Sequence, residues 1–173
     1  SFPLSNIAFN YEKLGDYKNA LNYLLKAIEI EESISGKDSI ELSNLLLRLD
    51  TIFRAGKYYL PIDKYEEVSN IYWRVLKIRE KEYGINSIQV ASSYQDIAGL
   101  YSHKSNWEEA IKLREKAINI VSMVKNTKDF YTTPLAYKAF LYSQIGNDHL
   151  NAGNIIKAKN YVLKSLDIYT KLY

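Results

Sequence analysis

The chain has 173 residues, 47% of them hydrophobic, and its 23 basic and 20 acidic side chains leave a formal charge of +3. A charge so small and evenly spread favours neither nucleic acid nor an anionic membrane as partner. There is no cysteine, which excludes disulfides and thiolate metal sites and agrees with a reducing compartment such as the cytoplasm. No apolar run reaches the roughly 18 residues that a membrane-spanning helix needs.

Amphipathic helices are predicted in pairs along the whole chain. In the first pair, over 3–14 and 17–34, apolar or small residues recur at spacings of three and four on either side of Gly15. Capping patterns at Asp38, Asn86 and Asn106, together with Thr133 before a proline, mark later helix starts. The later pairs are predicted at 39–55 with 64–83, 87–104 with 107–125, and 134–152 with 155–172.

The pairs repeat one another in register. A small residue marks the same position in each second helix, and these markers are separated by 48, 42 and 48 residues. The second pair has seven extra residues in its turn, near 57–65. We expect one domain over 1–173, a piece of a longer protein because the pattern runs to the last residue, with repeats at about 1–36, 37–84, 85–126 and 127–173. The markers are Ala20, Val68, Ala110 and Ala158.

The string from Leu76 to Gly84, followed by Val90-Ala91 and Ile97-Ala98, resembles the long tetratricopeptide repeat (TPR) of the kinesin light chain type. Residues 27–32 and 116–120 carry related strings. The resemblance implies an all-α fold, a right-handed α-α superhelix (TPR solenoid) of about four helix-turn-helix repeats. It also implies a protein-protein interaction scaffold in which the first helices line a concave groove. The second repeat departs most, with Arg48 at a usually apolar position.

The face of each first helix that lies opposite its packing residues is expected to line this groove. Amides there suit a peptide backbone, cations suit carboxylates, and the apolar side chains would receive an apolar anchor. We therefore expect a protein or peptide partner, acidic with an apolar anchor; the alternative is that these faces are merely solvated. The predicted groove residues are Phe9, Lys13, Leu46, Asp50, Phe53, Arg54, Gln95, His103, Asn147 and Asn151, and the insertion predicts a contact loop at Tyr58, Tyr59 and Leu60.

No pattern in the sequence indicates chemistry. His103 and His149 lie on different predicted helices without a cysteine or a fixed carboxylate beside them, which disfavours a metal site. No glycine-rich phosphate loop follows a strand. Of the 16 tyrosines, five fall on packing positions and are expected in the core and not as stacking platforms for bases: Tyr11, Tyr17, Tyr72, Tyr94 and Tyr101. We expect no enzymatic activity, no cofactor and no metal.

Three functions stay open at this point. The first is an adaptor that binds a peptide segment in the groove. The second is a regulatory module of a larger signalling enzyme that binds its own neighbouring domain. The third is structural self-assembly through the repeat ends. The last helix carries apolar residues from Ile156 to Leu172 with nothing after them in this sequence to cover them, which predicts either further repeats in the parent protein or self-association through this helix.

Overall fold

The computed structural model describes residues 1–36, 39–55, 65–124 and 133–172, and within these ranges all regular structure is helical. The bounds agree with the predicted ones to within two residues at every end, which confirms the all-α class. The helices are α1 (Phe2–Lys13), α2 (Tyr17–Ser35), α3 (Ile40–Ala55), α4 (Tyr65–Tyr83), α5 (Ile88–His103), α6 (Trp107–Met123), α7 (Pro134–Asn151) and α8 (Ile155–Leu172).

The cap of α5 lies one residue later than predicted. Ser87, and not Asn86, accepts a hydrogen bond through its Oγ from the backbone N–H of Val90 at 3.3 Å. The side chain of an N-cap must reach the amide of the second or third helical residue, and Asn86 precedes that position by one. The predicted Asp38 lies outside the described residues, and at α3 the hydroxyl of Ser39 is the acceptor. Asn106 and Thr133 cap α6 and α7 as predicted.

The turns inside three of the helix pairs have one geometry. In each turn a backbone N–H donates to the carbonyl five residues earlier, and the residue before that donor has a positive φ. That residue is Gly15 or Gly153 in two turns but Ser105, with φ 58°, in the third. A side chain in this left-handed region costs about 1 kcal/mol or more, so Ser105 holds local strain. The donor and acceptor pairs are Asp16 with Tyr11, Asn106 with Tyr101, and Asn154 with His149.

The described residues divide into two compact units, Ser1–Ile78 and Arg79–Tyr173. In the first unit α1 packs on α2 and α2 packs on α3. Its core is aliphatic, and the largest of its fully buried side chains are Leu24, Leu42, Leu49 and Val68. The predicted single domain and the four repeat ranges remain predictions, and residues 56–64, which include most of the predicted insertion, lie outside the described residues.

In the second unit α5 packs on α6, α6 on α7, and α7 on α8. The last two helices approach closely at Gly146, where an added Cβ would lie 2.9 Å from Val162 Cγ2 and 3.3 Å from the carbonyl oxygen of Ala158. Only glycine therefore fits at this crossing. The core cluster of the unit consists of Ala91, Ala117, Ile118, Val121, Leu141 and Ile145.

Candidate peptide-binding surfaces

An exposed aromatic ring flanked by two cations lies in the first unit. The ring of Phe9 is 43% exposed. Lys13 Nζ lies 5.1 Å from the ring centroid, and the guanidinium carbon of Arg48, from α3, lies 5.2 Å from it. Arg48 Nη1 also donates a hydrogen bond to Ser5 Oγ at 3.1 Å. We call Ser5, Phe9, Lys13 and Arg48 the Phe9 patch.

A cavity of about 270 Å³ adjoins the Phe9 patch and shares two of its residues. Its buried acid is Glu31, whose carboxylate accepts hydrogen bonds from Ser1 Oγ at 2.5 Å and Ser39 Oγ at 3.5 Å. The hydrogen bond from Ser1, followed by one from Ser35, lowers the pKa of Glu31, and the bond from Ser39 acts in the same direction, so the carboxylate stays ionised at neutral pH. The cavity is lined by Ser1, Phe2, Ser5, Glu31, Glu41, Asn44, Leu45 and Arg48.

In the second unit an arginine is buried in a polar network instead. Arg114 of α6 is 3% exposed, and its Nε donates to Gln95 Oε1 at 2.9 Å. Its Nη1 donates to Ser102 Oγ at 2.9 Å and to the carboxylate of Asp148. Ser102 Oγ donates in turn to Asp148 Oδ1 at 2.8 Å. This network joins α5, α6 and α7 inside the unit, so its polar groups are already satisfied by one another.

The protonation of Asp148 follows from this burial. Removal from water raises the pKa of the Asp148 carboxyl, while the charge of Arg114 and the hydrogen bond from Ser102 act in the opposite direction. Arg114 is thus the group that allows a carboxylate to be ionised inside the unit. Losing this arginine would leave a buried charge without its counter-charge, which is costly.

The structure places most of the predicted groove residues. Leu46 and Gln95 are only 3% and 6% exposed, so the expectation that they line an open face is wrong. The side chains of Asp50, Phe53 and Arg54, like the whole of Tyr58, Tyr59 and Leu60, lie outside the described residues. The remaining predicted residues, Phe9, Lys13, His103, Asn147 and Asn151, are exposed, and whether any of the set binds a peptide remains a prediction.

The two buried residues have different physical reasons. Leu46 lies on a helix whose buried stripe is wide, because Leu42, Leu45 and Leu49 are buried as well. Gln95 is buried because the guanidinium of Arg114 is itself buried and requires an acceptor. The burial of Leu46 thus follows from the width of the apolar stripe on its own helix, whereas that of Gln95 depends on what the neighbouring helix presents.

Sequence reasoning did not include Arg48, Arg114 and Asp148 among the functional or structural polar residues. A signal existed for Arg48, which stands where the repeat usually has an apolar residue. Arg114 carried a similar signal, because the equivalent position of α2 is Leu24, which is fully buried. An arginine at an apolar position indicates either an outward-facing cation or a buried ion pair, and only the structure decides between them.

In the described ranges no group of three or more histidine, cysteine, aspartate or glutamate side chains is arranged to hold a metal ion. The helices of the same ranges include none that is long and apolar enough to cross a membrane.

The paired helices and the shared turn geometry define the fold, an array of helix pairs like that of tetratricopeptide repeats. A family model of the tetratricopeptide repeat matches residues 4–34, the first helix pair. Among solved structures, BtubC (BKLC) from P. vanneervenii matches 98% of this chain and 63% of its own with a TM-score of 0.77 at 21% identity. Another solved structure shows the nearly identical TPR-like repeats of a Podosopora anserina kinesin light chain. It matches 99% of this chain and 75% of its own length, with a TM-score of 0.71 at 14% identity.

These likenesses confirm the long-repeat, kinesin light chain-like fold predicted from the sequence. Among curated proteins, a clustered mitochondria protein homolog from Debaryomyces hansenii is 26% identical over 161 residues. The match covers 93% of this chain but 11% of the relative, so the chain spans a small part of that protein's length. Repeats of this class are typically non-catalytic interaction scaffolds, and protein-protein interaction is the general function they support.

Proposed function

We propose that this chain is an adaptor that binds an extended peptide segment of a partner protein on exposed faces of its first helices. The Phe9 patch carries the proposal, because it combines an exposed aromatic ring with two cations about 5 Å from the ring centroid. Such a patch suits a peptide with an apolar anchor beside acidic side chains. The proposal involves no catalysis and places the binding in the cytoplasm.

The two parts of the patch contribute differently. An exposed charge pair contributes only about 0–1 kcal/mol, so most of the affinity must come from the apolar surface that the anchor buries against Phe9. Arg48 is already oriented by its hydrogen bond to Ser5, so it loses less side-chain entropy on meeting a carboxylate. The cations therefore select an acidic peptide and the ring retains it.

Amide side chains in the second unit support the same kind of ligand. Asn147 and Asn151 lie one turn apart on α7, and both are exposed. Each amide has a donor and an acceptor, which matches the donor and acceptor of an extended peptide unit. We propose that they bind peptide backbone, whereas Gln95, which the structure buries with Arg114, has no part in this binding.

A fluorescence titration tests the adaptor function. The probe is a labelled acetylated peptide with a tryptophan flanked by glutamates and aspartates, and its control replaces every acid by the amide. Arg48→Glu is expected to weaken binding of the acidic probe about tenfold at low salt and less at high salt. Phe9→Ala is expected to weaken it with little salt dependence, because it removes apolar contact.

Lys26→Glu is the matched control, since it reverses an exposed cation of the same unit that lies on α2 over Tyr23. It should leave the affinity unchanged apart from a small salt-dependent term. If Lys26→Glu weakens binding as much as Arg48→Glu does, or if the amide probe binds as well as the acidic one, the Phe9 patch is not the binding surface.

A second candidate function is self-assembly through the ends of the repeat stack. The observation in its favour is the surface of α8, where six large apolar side chains are at least 37% exposed. Apolar surface gathered on one helix is typical of interaction sites. The six residues are Ile155, Ile156, Val162, Leu163, Leu166 and Tyr169.

A further inference from the structure

A cavity of about 460 Å³ lies in the second unit, at the end where two of its helix pairs turn. It is lined by Ser105 and Trp107, at the turn from α5 to α6, and by Ala152 and Asn154, at the turn from α7 to α8. Both turns are internal to the unit, and neither contains the first or the last residue of the chain. The volume falls within the range of about 300–1,000 Å³ that is typical of small-molecule sites.

A buried histidine lines the same cavity. His149 is 8% exposed, and its Nδ1 has no hydrogen-bond partner among the described residues. In the other two helix pairs with this turn geometry the equivalent residue is a tyrosine, Tyr11 or Tyr101. A buried polar atom without a partner is costly to the fold, so each one in a native structure points to a ligand, an ion or a water that satisfies it. A ligand seated in the cavity can supply the missing partner of His149.

The start of α8 offers further hydrogen-bond donors at this cavity. At α2 and α6 the side chains of Asp16 and Asn106 each accept a backbone N–H of the first turn. At α8 the equivalent side chain is that of Asn154, and within the described ranges it forms no such bond. The first-turn amides of α8 are therefore available to an acceptor, and the helix dipole favours one that is negatively charged.

The side-chain charges at the cavity favour a ligand with a single negative charge. Lys157, in the first turn of α8, lines the cavity and forms no ion pair within the described part of the chain. Lys112 lines it as well, but its Nζ is held by Glu108 at 3.0 Å and by Glu109 at 2.8 Å. One unpaired lysine balances one charge, and Glu108, which also lines the cavity, repels a second one. A carboxylate therefore fits better than a phosphate, whose charge is nearly two.

We propose that this cavity binds a carboxylate carried on an apolar or aromatic group. The apolar group packs against Trp107 and Ile111, which both line the cavity. The carboxylate meets Lys157 and the first-turn amides of α8. One of its oxygens accepts a hydrogen bond from Nδ1–H of His149, once the imidazole ring has turned about its Cβ–Cγ bond. This site belongs to the second unit and takes a different ligand from the Phe9 patch of the first.

Titration of the chain with phenylacetate, followed by NMR of ¹⁵N-labelled histidine, tests the site. The ring nitrogens of His149 should shift on binding, while those of His103, which does not line the cavity, should stay unchanged. Phenylacetamide, the uncharged analogue, should bind about tenfold more weakly or not at all. Benzyl phosphate should also bind more weakly than phenylacetate. Equal binding of acid and amide, tighter binding of the phosphate, or a constant His149 spectrum overturns the proposal.

Substitutions separate the site from a general effect of charge. Lys157→Glu should weaken binding of phenylacetate about tenfold or more, because it turns the counter-charge of the carboxylate into a like charge. The matched control is Lys159→Glu, which reverses an exposed lysine on the same helix that does not line the cavity and should leave binding unchanged. His149→Tyr introduces the tyrosine of the equivalent positions, and should abolish binding while circular dichroism shows the helices retained. Equal weakening by both lysine variants, or wild-type binding by His149→Tyr, contradicts the proposed site.

A peptide arm identifies the source of the carboxylate. Its probe is an acetylated peptide that ends in phenylalanine with a free carboxylate, and its control is the same peptide with a C-terminal amide. Binding of the free-acid peptide at least as tight as that of phenylacetate indicates a protein C-terminus, whereas binding of phenylacetate alone indicates a small free acid. Failure of both probes overturns the site. Phe9→Ala should leave both arms unchanged, because Phe9 belongs to the peptide-binding patch of the first unit.

Discussion

One repeat position accepts a hydrogen bond from an arginine in both units, but it belongs to a surface patch in the first unit and to the interior in the second. Ser5 in the first unit and Gln95 in the second are equivalent, and each accepts a hydrogen bond from an arginine. In the first unit the arginine is Arg48, from the following first helix, and it lies beside an exposed ring. In the second unit it is Arg114, from the second helix of the same pair, and it is buried. The helix that supplies the cation thus decides whether the position belongs to a surface or to the interior.

Removing each arginine tests this difference and should give the largest effect. Arg114→Met leaves Asp148 buried without its counter-charge and leaves Gln95 and Ser102 short of a donor, so it should lower the free energy of unfolding by about 3–5 kcal/mol. Arg48→Met removes one partly exposed hydrogen bond and a ring contact, and should cost about 1 kcal/mol. Urea unfolding measures both, and similar losses would contradict the contrast between the units.

Two glycine substitutions in the second unit compare a crowded helix crossing with an open helix face, and their effects on stability should be smaller than that of Arg114→Met. Gly146→Ala places a methyl group 2.9 Å from Val162 Cγ2 at the crossing of α7 and α8, and should destabilise by about 1–3 kcal/mol. Gly99→Ala on α5 meets nothing within 4 Å, so it should stabilise by about 0.5–1 kcal/mol through helix propensity. Thermal melting of both variants is the measurement, and a destabilised Gly99→Ala would show that this face is not open.

A pH titration gives the smallest expected effect and compares two aromatic contacts. Tyr11 stacks on Tyr23, and His149 packs against Tyr161, with ring centroids 5.4 Å apart in both cases. Burial, followed by the charge of Lys157, lowers the pKa of His149, although Asp148 and Glu115 act in the opposite direction. The folded state therefore holds the imidazole neutral, while in the unfolded chain it is protonated below about pH 6.5.

The sign of the pH dependence follows from this difference. The contribution of His149 to stability is fully present above pH 6.5 and is lost as pH falls through the lowered pKa of the folded state. Above pH 7 the unfolding free energies of wild type and His149→Tyr should change with pH at the same slope. Between pH 6.5 and 5 the two curves should diverge, because the tyrosine variant loses less stability as the pH falls. Parallel curves over the whole range would show that His149 does not titrate differently in the two states.

The helices of the described ranges could be predicted because their pattern is carried by the residues of each helix alone. Apolar spacing and turn residues placed every helix end within two residues. The site was predicted less well because its side chains are placed by neighbouring helices. Leu46 and Gln95 fall on the expected open face by periodicity, yet a wide apolar stripe buries one and Arg114 buries the other. Arg48 was seen only as a departure from the repeat, since its contact with Phe9 depends on how α3 crosses α1.

The stacking order within the second unit has a consequence for how this part of the chain folds. Its main contacts join α5 with α6, α6 with α7, and α7 with α8, which are consecutive in the chain. Contacts of short sequence separation require little loop closure before they form, so folding is expected to be fast and to spread from one hairpin to the next. Among the described residues α6 has main contacts with both α5 and α7, whereas the main contacts of α8 are with α7, so the amides of α8 should exchange with solvent deuterium sooner than those of α6.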